Sequence, residues 1–357
     1  MSLAGDLNSI TISVGGRPNI SPFFGEDETI GEWAFAAKDK TDKIANKRFL
    51  NIEDYFYGHS LHPLVVFDTS RGCPYKCNFC AYPQTFSGHT MRYRSAGHVA
   101  DEFDFCSKEF PQLKTIMLED DTFIIDRKRT LELANELIDR GNKIPFDSNN
   151  RADVRADVDF FKTLKKAGAR LFCVGFESGD QDVLKHMKKN LKLDQADEFM
   201  KNTRDAGIMV HGCFMVGNLN ETKETLNSTL DLAKRLKPDT AQFFPIMVYP
   251  GTSAYEEAKE RGLLETEDYS KWLTPDGLHN SVVNLPDVTH EELVKFCDTA
   301  RRKFYLSPGY IWMKFLQSFR SSDELHRNLK GFKTLVKYLI KGSFSAKEDS
   351  TTEAVSA

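Results

Sequence analysis

The chain has 357 residues, 40% of them hydrophobic, and a formal net charge of −4. This charge provides no general attraction to nucleic acid, and no apolar stretch approaches the roughly 20 residues that a membrane-spanning helix needs. The first residues lack the basic start and apolar run of a secretion signal, and the seven cysteines are an odd number, which argues against a disulfide framework. We therefore expect a cytoplasmic protein with reduced thiols and no nucleic-acid partner.

Short β-rich runs alternate with helical patterns along the chain. The runs predicted as strands cover residues 63–69, 113–120, 144–149, 169–176, 208–217 and 239–248. Between them, one helix is predicted to begin at an Asp126 cap and stop at Gly141, a second to end at Gly168, and a third to run from Asn220 to Pro238. This alternation predicts parallel βα units, either in a barrel or in a doubly wound sheet. In both cases the active site lies at the carboxyl ends of the strands.

The last third of the chain has a different character. Residues 288–341 are predicted to be helical, and positions 303–341 carry eight Lys and Arg against two acidic residues. Their apolar and basic stripes suit a helix packed on the barrel, and they equally suit a helix lying on the inner face of a membrane, held by apolar burial and anionic lipid. Residues 342–357 are polar and are predicted to be disordered.

Three cysteines, Cys73, Cys77 and Cys80, fall within eight positions directly after the first predicted strand. A structural zinc site usually takes four protein ligands, and here His62 or His89 would have to supply the fourth. Thiolates are also the standard ligands of iron–sulfur clusters. Three of them leave one iron of a four-iron cluster open to another ligand. Simple burial of three cysteines in so polar a loop is the third, least favoured interpretation.

The arrangement Cys73-x₃-Cys77-x-Phe79-Cys80 resembles the signature of the radical S-adenosylmethionine (SAM) superfamily, and the similarity extends over about residues 60–265. In that family the open iron of a [4Fe–4S] cluster binds SAM. An electron, delivered by a reductant protein such as flavodoxin or ferredoxin, then releases methionine and a 5′-deoxyadenosyl radical that abstracts hydrogen from the substrate. The resemblance implies the three cysteines as metal ligands, Phe79 as a cofactor-binding residue, and an α/β fold: a partial (β/α)6 TIM-type barrel with a helical C-terminal extension.

The ends of the later strands offer polar groups that the resemblance assigns to SAM. Glu119, Asp120 and Asp121 follow the second strand, where the family binds the amino group, and Arg151 follows the third as a donor to the carboxylate. The other assigned contacts are Glu177 and Ser178 for the ribose, and Gly212 and Gly217 for the adenine. A helix-cap role for Asp121, a surface ion pair for Arg151 and a structural role for Glu177 remain alternatives. The other four cysteines are scattered along the chain, and only packing roles are predicted for them: Cys106, Cys173, Cys213 and Cys297.

Within the superfamily, segments such as GCFMVGNLNETKET resemble the cobalamin-associated class, above all the hopanoid-biosynthesis enzymes, which act on bacterial triterpenoid lipids. Members of this class normally carry an N-terminal cobalamin-binding domain, often with an Asp-x-His motif, and no Asp-x-His occurs in this sequence. Residues 1–60 are therefore predicted to be a remnant or linker of that domain. The predicted barrel covers 61–265 and the helical extension 266–341. Whether cobalamin is used stays open.

The sequence thus predicts a radical SAM enzyme that abstracts hydrogen from an apolar, isoprenoid or hopanoid-like lipid. Cobalamin-dependent methyl transfer and methylthiolation of tRNA are the alternatives among enzymes, and the acidic balance of the chain disfavours the second. From a different class, a zinc-stabilised binding protein is also an alternative.

Overall fold

The computed structural model describes residues 52–54, 57–272, 280–319 and the single positions 325, 329, 332 and 333. The predicted N-terminal remnant, apart from a few residues at its end, and the predicted disordered tail lie outside this part of the chain. The strands are β1 Leu64–Phe67, β2 Ser70–Arg71, β3 Arg92–Tyr93, β4 Thr115–Leu118, β5 Phe146–Asn150, β6 Ala169–Glu177, β7 Met209–Val216 and β8 Thr240–Pro245. The helices are α1 Ala96–Glu109, α2 Arg127–Asp139, α3 Val158–Ala167, α4 Gln181–His186, α5 Leu193–Asp205, α6 Lys223–Leu236, α7 Ser253–Glu260, α8 His290–Tyr305 and α9 Pro308–Gln317.

Six strands form one sheet in the order β1-β4-β5-β6-β7-β8, and every neighbouring pair is parallel. Strands β2 and β3 form a separate antiparallel ribbon directly after β1. In the described residues no ladder joins β8 back to β1. The predicted α/β architecture, with six parallel βα units in a partial barrel, is confirmed, and the carboxyl ends of all six strands lie at one edge.

Local sequence explains most helix ends. The Asp126 carboxylate accepts a hydrogen bond from Arg129 N, as predicted, and Gly168 ends α3 with a φ of 116°. The third predicted helix starts later than expected. Thr222, not Asn220, is its N-cap, because the preceding residues form a turn around the Glu221 carboxylate.

A row of stacked phenylalanine rings covers one face of the sheet. The rings of Phe176, Phe214 and Phe243 stack from β6 to β8 with centroids 5.7 and 5.2 Å apart, and all three are buried. Side chains alternate between the two faces of a strand. Cys173, His211 and Cys213 therefore lie on the opposite face, called the inner face below, and are partly exposed.

Helix α8 is anchored to the last strand of the sheet. The Tyr305 hydroxyl donates to Ala241 O at 2.6 Å, and Arg301 Nη2 donates to Phe243 O at 2.7 Å. For this helix, packing on the barrel is therefore the observed arrangement. Helix α9 and the residues directly after it instead expose aromatic side chains, with Trp312 61% and Phe319 75% exposed. No helix among the described residues combines the length and the apolar composition needed to cross a membrane.

Candidate functional site

The cysteine-rich loop lies at the carboxyl end of β1 and is closed at its base by the β2–β3 ribbon. Ser70 pairs with Tyr93, and Cys73 N donates to Gly88 O at 3.3 Å. Gly72 occupies this closure with a φ of 97°, and a Cβ at this position would lie 2.2 Å from Thr90 O. The close approach of the two sides of the loop therefore requires glycine at position 72.

Two of the predicted SAM-binding acids hold the base of this loop. Asp120 is fully buried and accepts hydrogen bonds from Thr69 N (2.6 Å), Thr69 Oγ1 (2.6 Å) and Ser70 Oγ (2.5 Å). Asp121 accepts from Gly72 N at 2.9 Å, and burial raises the pKa of its carboxyl. Both acids thus connect the end of β4 to the cysteine loop, and a contact with SAM stays a prediction for them.

A glutamine that the sequence analysis missed ties the loop to itself and to the start of α7. Gln84 Nε2 donates to the carbonyls of Cys80, Cys77 and Asn78 at 2.7, 3.0 and 3.3 Å, and its Oε1 accepts from Ser253 N at 3.0 Å. Ala254 N also donates to Asn78 O at 3.0 Å. The three cysteines therefore sit on a loop whose own carbonyl groups are anchored.

The three loop cysteines are free thiols, with Cys77 buried and the other two partly exposed. Burial raises the pKa of Cys80 to about 12 and also raises that of Cys73. Thiols ligate metals as thiolates, so metal binding here would release protons. Phe79, the predicted cofactor-binding aromatic, is partly buried and packs against the main core.

The Arg151 guanidinium extends from the end of β5 to the cysteine loop. Its Nη1 lies 3.4 Å from Cys77 Sγ, and its plane covers the Tyr75 ring at 3.6 Å. It also donates to both carboxylate oxygens of Asp153, at 2.9 and 2.8 Å, and to the carbonyl of Lys189. The bidentate partner that the structure shows is thus Asp153, and donation to the SAM carboxylate stays a prediction.

Glu177 lies at the end of β6 in an ion pair that sequence reasoning did not find. Its Oε1 accepts from Lys189 Nζ at 2.7 Å, with both side chains about 7% exposed or less. Gly175 makes room for this pair, because a Cβ there would lie 2.2 Å from Glu177 Oε1. Ser178 is fully buried, with its Oγ 3.3 Å from Thr229 Oγ1. Glu177 is linked to the cysteine loop through Lys189 and Arg151, whereas Ser178 contacts Thr229. Both ribose assignments stay predictions.

The predicted adenine-binding glycines are buried, and neither lies on the inner face. A Cβ on Gly212 would lie 3.0 Å from the Pro238 ring, on the side of the helices. Gly217 has a φ of 87° and donates its N–H to Glu221 Oε2, which also accepts from Asn218 N. Burial raises the pKa of Glu221 to about 7. Any contact of these glycines with adenine stays a prediction and would have to use their backbone.

The inner face holds a polar group that includes two cysteines for which the sequence analysis predicted only structural roles. Cys173 Sγ lies 3.6 Å from Cys213 Sγ, and these atoms and the His211 ring nitrogen lie within 4.8 Å of one another. The pKa of the Cys213 thiol is lowered, because it is hydrogen-bonded to the Cys173 thiol and His211 lies beside it. Strict alternation in HGCFM could have shown that His211 and Cys213 share a face, but not that Cys173 meets them. Cys106 and Cys297 are buried, as predicted.

The loop residues fit an iron–sulfur cluster better than a single zinc ion. Ligand atoms around one zinc ion lie about 3.8 Å apart for two thiolates in tetrahedral geometry. Among the described residues, the set of three with all ligand atoms within 4.8 Å is Cys173, His211 and Cys213, and the loop cysteines form no such set. Cysteine thiolates are the standard ligands of iron–sulfur clusters. The Arg151 guanidinium also provides a donor to the sulfur of Cys77.

Comparison with known proteins follows this geometry. A family model described as the radical SAM superfamily matches residues 68–233. The chain is 31% identical over 249 residues to an uncharacterized methyltransferase of Pyrococcus horikoshii, covering 70% of this chain and 53% of that protein. It is 29% identical to the anaerobic magnesium-protoporphyrin IX monomethyl ester cyclase of Cereibacter sphaeroides, covering 81% and 47%. The chain therefore spans about half the length of the curated relatives it matches.

Two further likenesses bear on the predicted subgroup. The hopanoid C-3 methylase of Methylococcus capsulatus is 24% identical over 68% of this chain and 45% of its own length. The structure of OxsB, described as a cobalamin-dependent S-adenosylmethionine radical enzyme, shares the fold with a TM-score of 0.56 and 18% identity, covering 80% of this chain and 48% of that one. The predicted resemblance to radical SAM enzymes is confirmed. The chain also shares its fold with a structure described as a cobalamin-dependent enzyme of that kind.

Proposed function

This chain belongs to the radical SAM superfamily of enzymes, which uses a [4Fe–4S] cluster and SAM, and from that premise we propose that it methylates an apolar substrate. Cys73, Cys77 and Cys80 would hold the cluster. When bound and reduced, the cluster supplies the electron that splits a carbon–sulfur bond of SAM. The contact of Arg151 Nη1 with Cys77 Sγ at 3.4 Å supports the position of this site, because it brings the end of β5 to the cysteine loop. The observation that carries the proposed reaction is the similarity to a relative named a methyltransferase.

A short series of contacts supports a SAM site beside this loop. Arg151 donates to the Lys189 carbonyl, and Lys189 Nζ donates in turn to Glu177 at the end of β6. Glu119 lies at the end of β4, is partly exposed, and accepts from the Tyr57 hydroxyl at 3.2 Å. Its carboxylate is therefore better placed than the buried Asp120 to meet the SAM ammonium group. In this arrangement Asp120 orients the loop and Glu177 meets the ribose.

Methyl transfer takes precedence over the hydrogen abstraction that the sequence favoured. The relative from Pyrococcus horikoshii is named a methyltransferase and the one from Methylococcus capsulatus a methylase, so the comparisons favour the alternative over the main sequence prediction. The family match also argues against a zinc-stabilised binding protein. Hydrogen abstraction without methyl transfer is the second candidate, because one relative is named a cyclase. Cobalamin is assigned to no described residue.

The test is anaerobic reconstitution with iron and sulfide, followed by product analysis with SAM and a strong reductant. S-adenosylhomocysteine formed only when cobalamin is added supports methyl transfer, whereas 5′-deoxyadenosine without it supports the second candidate. Absence of both products would overturn the proposal.

Binding variants test the residue assignments separately. Glu177→Ala should weaken SAM binding by about 1–3 kcal/mol, because a polar partner of the ligand is removed. Lys189→Met is the matched control, since it breaks the same ion pair from the other side. Equal losses in the two variants would show that Glu177 acts only through the ion pair.

An electron donor and a substrate are required by enzymes of this superfamily. We propose a flavodoxin or ferredoxin as the electron donor and a lipid as the substrate. The enzyme would be cytoplasmic and would take the lipid from the cytoplasmic side of a membrane. The exposed rings of Trp312 and Phe315 on α9, and of Phe319 directly after it, support this peripheral contact. Lys314, counted in the basic stripe, instead donates to Gln317 Oε1 at 2.7 Å, and its Nζ lies 3.9 Å from Asp239 Oδ1. Most of the other basic residues of the stripe lie outside the described part of the chain.

Vesicle sedimentation tests this contact. Binding should require anionic lipid, weaken with added salt, and fall when Trp312, Phe315 and Phe319 are changed together to Ser. Tyr269→Ser is the control, because Tyr269 is 56% exposed and lies outside α9, in a turn where its ring contacts Trp272. Equal binding by the triple variant would assign α9 to another role.

A further inference from the structure

The two thiols and the imidazole on the inner face are brought together by strand register. Strands β6 and β7 pair in parallel with Cys173 opposite His211 and Gly175 opposite Cys213. The three side chains therefore occupy neighbouring positions on one face of two adjacent strands. Neither cysteine is in a disulfide, although the two sulfur atoms are 3.6 Å apart.

The three groups are accessible from the inner face. Cys173, His211 and Cys213 are partly exposed, whereas Phe172 and Val174, on either side of Cys173, are fully buried. Gly212, between the other two, faces Pro238 on the helix side. A ligand approaching the inner face would thus meet the two sulfur atoms and the imidazole directly.

The distances match the needs of one tetrahedral metal ion. Zinc binds cysteine sulfur at about 2.3 Å and histidine nitrogen at about 2.0–2.1 Å, which places two thiolate sulfurs about 3.8 Å apart. The observed separation of 3.6 Å is close to this value, and all three ligand atoms already lie within 4.8 Å of one another. Small side-chain rotations would complete the coordination.

The imidazole also has the outer partners that metal-bound histidines usually have. His211 Nδ1 lies 2.7 Å from Thr240 Oγ1 on β8, which would leave Nε2 as the ligand atom. The His59 ring stacks on His211 with centroids 4.8 Å apart and an angle of 20° between the planes. Both contacts limit rotation of the imidazole.

We propose that Cys173, His211 and Cys213 bind one divalent cation of the zinc class, separately from the cluster at the cysteine loop. Two cysteines and one histidine with an open fourth position are a ligand set of catalytic zinc sites. The open position faces the inner side of the barrel and would accept water or a nitrogen, oxygen or sulfur atom of the substrate. This site depends on strand register and not on the proposed methyl transfer.

The test uses the full chain with Cys73, Cys77 and Cys80 changed to Ala, kept anaerobic and reduced, so that the cluster ligands cannot take the metal. Titration with Zn²⁺ against a chromophoric chelator should give one equivalent bound. Co²⁺ in place of zinc should give thiolate-to-metal charge-transfer absorption. Adding Cys173→Ala and Cys213→Ala should weaken zinc binding at least about 100-fold, because losing two ligands costs more than losing an outer partner. Thr240→Val should weaken it about 10-fold.

The matched control adds Cys106→Ala and Cys297→Ala instead, removing two buried thiols elsewhere, and should still bind one equivalent. No zinc uptake by the parent variant would overturn the proposal. So would uptake that survives loss of Cys173 and Cys213, or a cobalt complex without thiolate charge transfer. Because the charge-transfer spectrum is read on the parent variant, the test does not depend on the folding of the double variant.

Discussion

The molecule has two groups of cysteines that are positioned in different ways. Cys73, Cys77 and Cys80 share one loop, whose carbonyls are held by Gln84. Cys173 and Cys213 are 40 residues apart and meet across two parallel strands. Spacing along the chain is enough to reveal the first group, because the ligands are joined by a few peptide units. The second group depends on the register between β6 and β7, which spacing does not report.

The largest expected effect separates the two groups. Changing Cys73, Cys77 and Cys80 together to Ala should abolish iron binding and SAM cleavage, because the proposed cluster would lose all its protein ligands. Iron and sulfide analysis after anaerobic reconstitution is the measurement, and circular dichroism checks the fold. Cys173→Ala with Cys213→Ala should leave iron content unchanged. Iron loss in that second variant would show that the two groups share one metal centre.

A second prediction tests how tightly the loop is closed. Gly72→Ala should destabilise the protein more than Gly88→Ala by about 1–3 kcal/mol, because its new Cβ would lie 2.2 Å from Thr90 O. Both glycines have a positive φ, and a Cβ on Gly88 would meet nothing within 4 Å, so the control carries only the backbone cost of about 1–2 kcal/mol. Chemical denaturation measures both. Equal losses would mean that the ribbon opens without cost.

A third prediction concerns the turn that follows β7, the strand that carries Cys213. The pKa of Glu221 is raised from 4.5 to about 7 by burial. As the pH rises from 4.5 to 7, the unfolded chain releases this proton while the folded protein keeps it. The free energy of unfolding should therefore fall by on the order of 3 kcal/mol over this range and level off above it.

Glu221→Gln should remove that part of the pH dependence. The measurement is denaturation at several pH values, in the variant whose Cys73, Cys77 and Cys80 are changed to Ala. Glu224→Gln, at an exposed carboxyl in the first turn of α6, should leave the slope in place. If the slope persists in Glu221→Gln, another group is responsible for it.

The smallest expected effect concerns the glutamine on the loop side. Gln84→Ala removes an amide that donates to three loop carbonyls, and we expect the loop to lose about 1–2 kcal/mol. Iron release to a chelator should be roughly 5–30 times faster. Gln112→Ala, at an exposed glutamine in another turn, should not change the rate. Unchanged iron release in Gln84→Ala would show that the cysteines keep their positions without this anchor.

Much of the fold followed from local patterns. The six strands were predicted from β-rich runs, and Asp126 and Gly168 mark helix ends where the sequence placed them. The error at Asn220 has a physical cause: the Glu221 carboxylate binds the N–H groups of the two residues after β7, so the helix starts only at Thr222. The hydrogen bonds of the Glu221 side chain to Gly217 N and Asn218 N are thus formed in place of a helix cap at Asn220.

The site was predicted less completely than the fold. The position of Asp120 at a strand end was evident, but its three hydrogen bonds to Thr69 and Ser70 required the neighbouring strand to be placed. Lys189, in the segment after α4, contacts both Arg151 and Glu177, and no pattern in the sequence pairs it with either. The sequence predicted which strands end in polar residues. The hydrogen-bond partners of those residues depended on how the loops pass over the strand ends.

The sequence by itself determined the ligands that lie close together along the chain and the alternation of strands and helices, because peptide geometry and side-chain periodicity act over a few residues. Only the tertiary structure decided that Cys173, His211 and Cys213 face one another. A shift of one residue between β6 and β7 would turn one set of side chains to the other face. Packing of the buried rings of Phe176, Phe214 and Phe243 across the three strands opposes such a shift. That packing is a property of the folded sheet, and it sets which inner-face side chains meet.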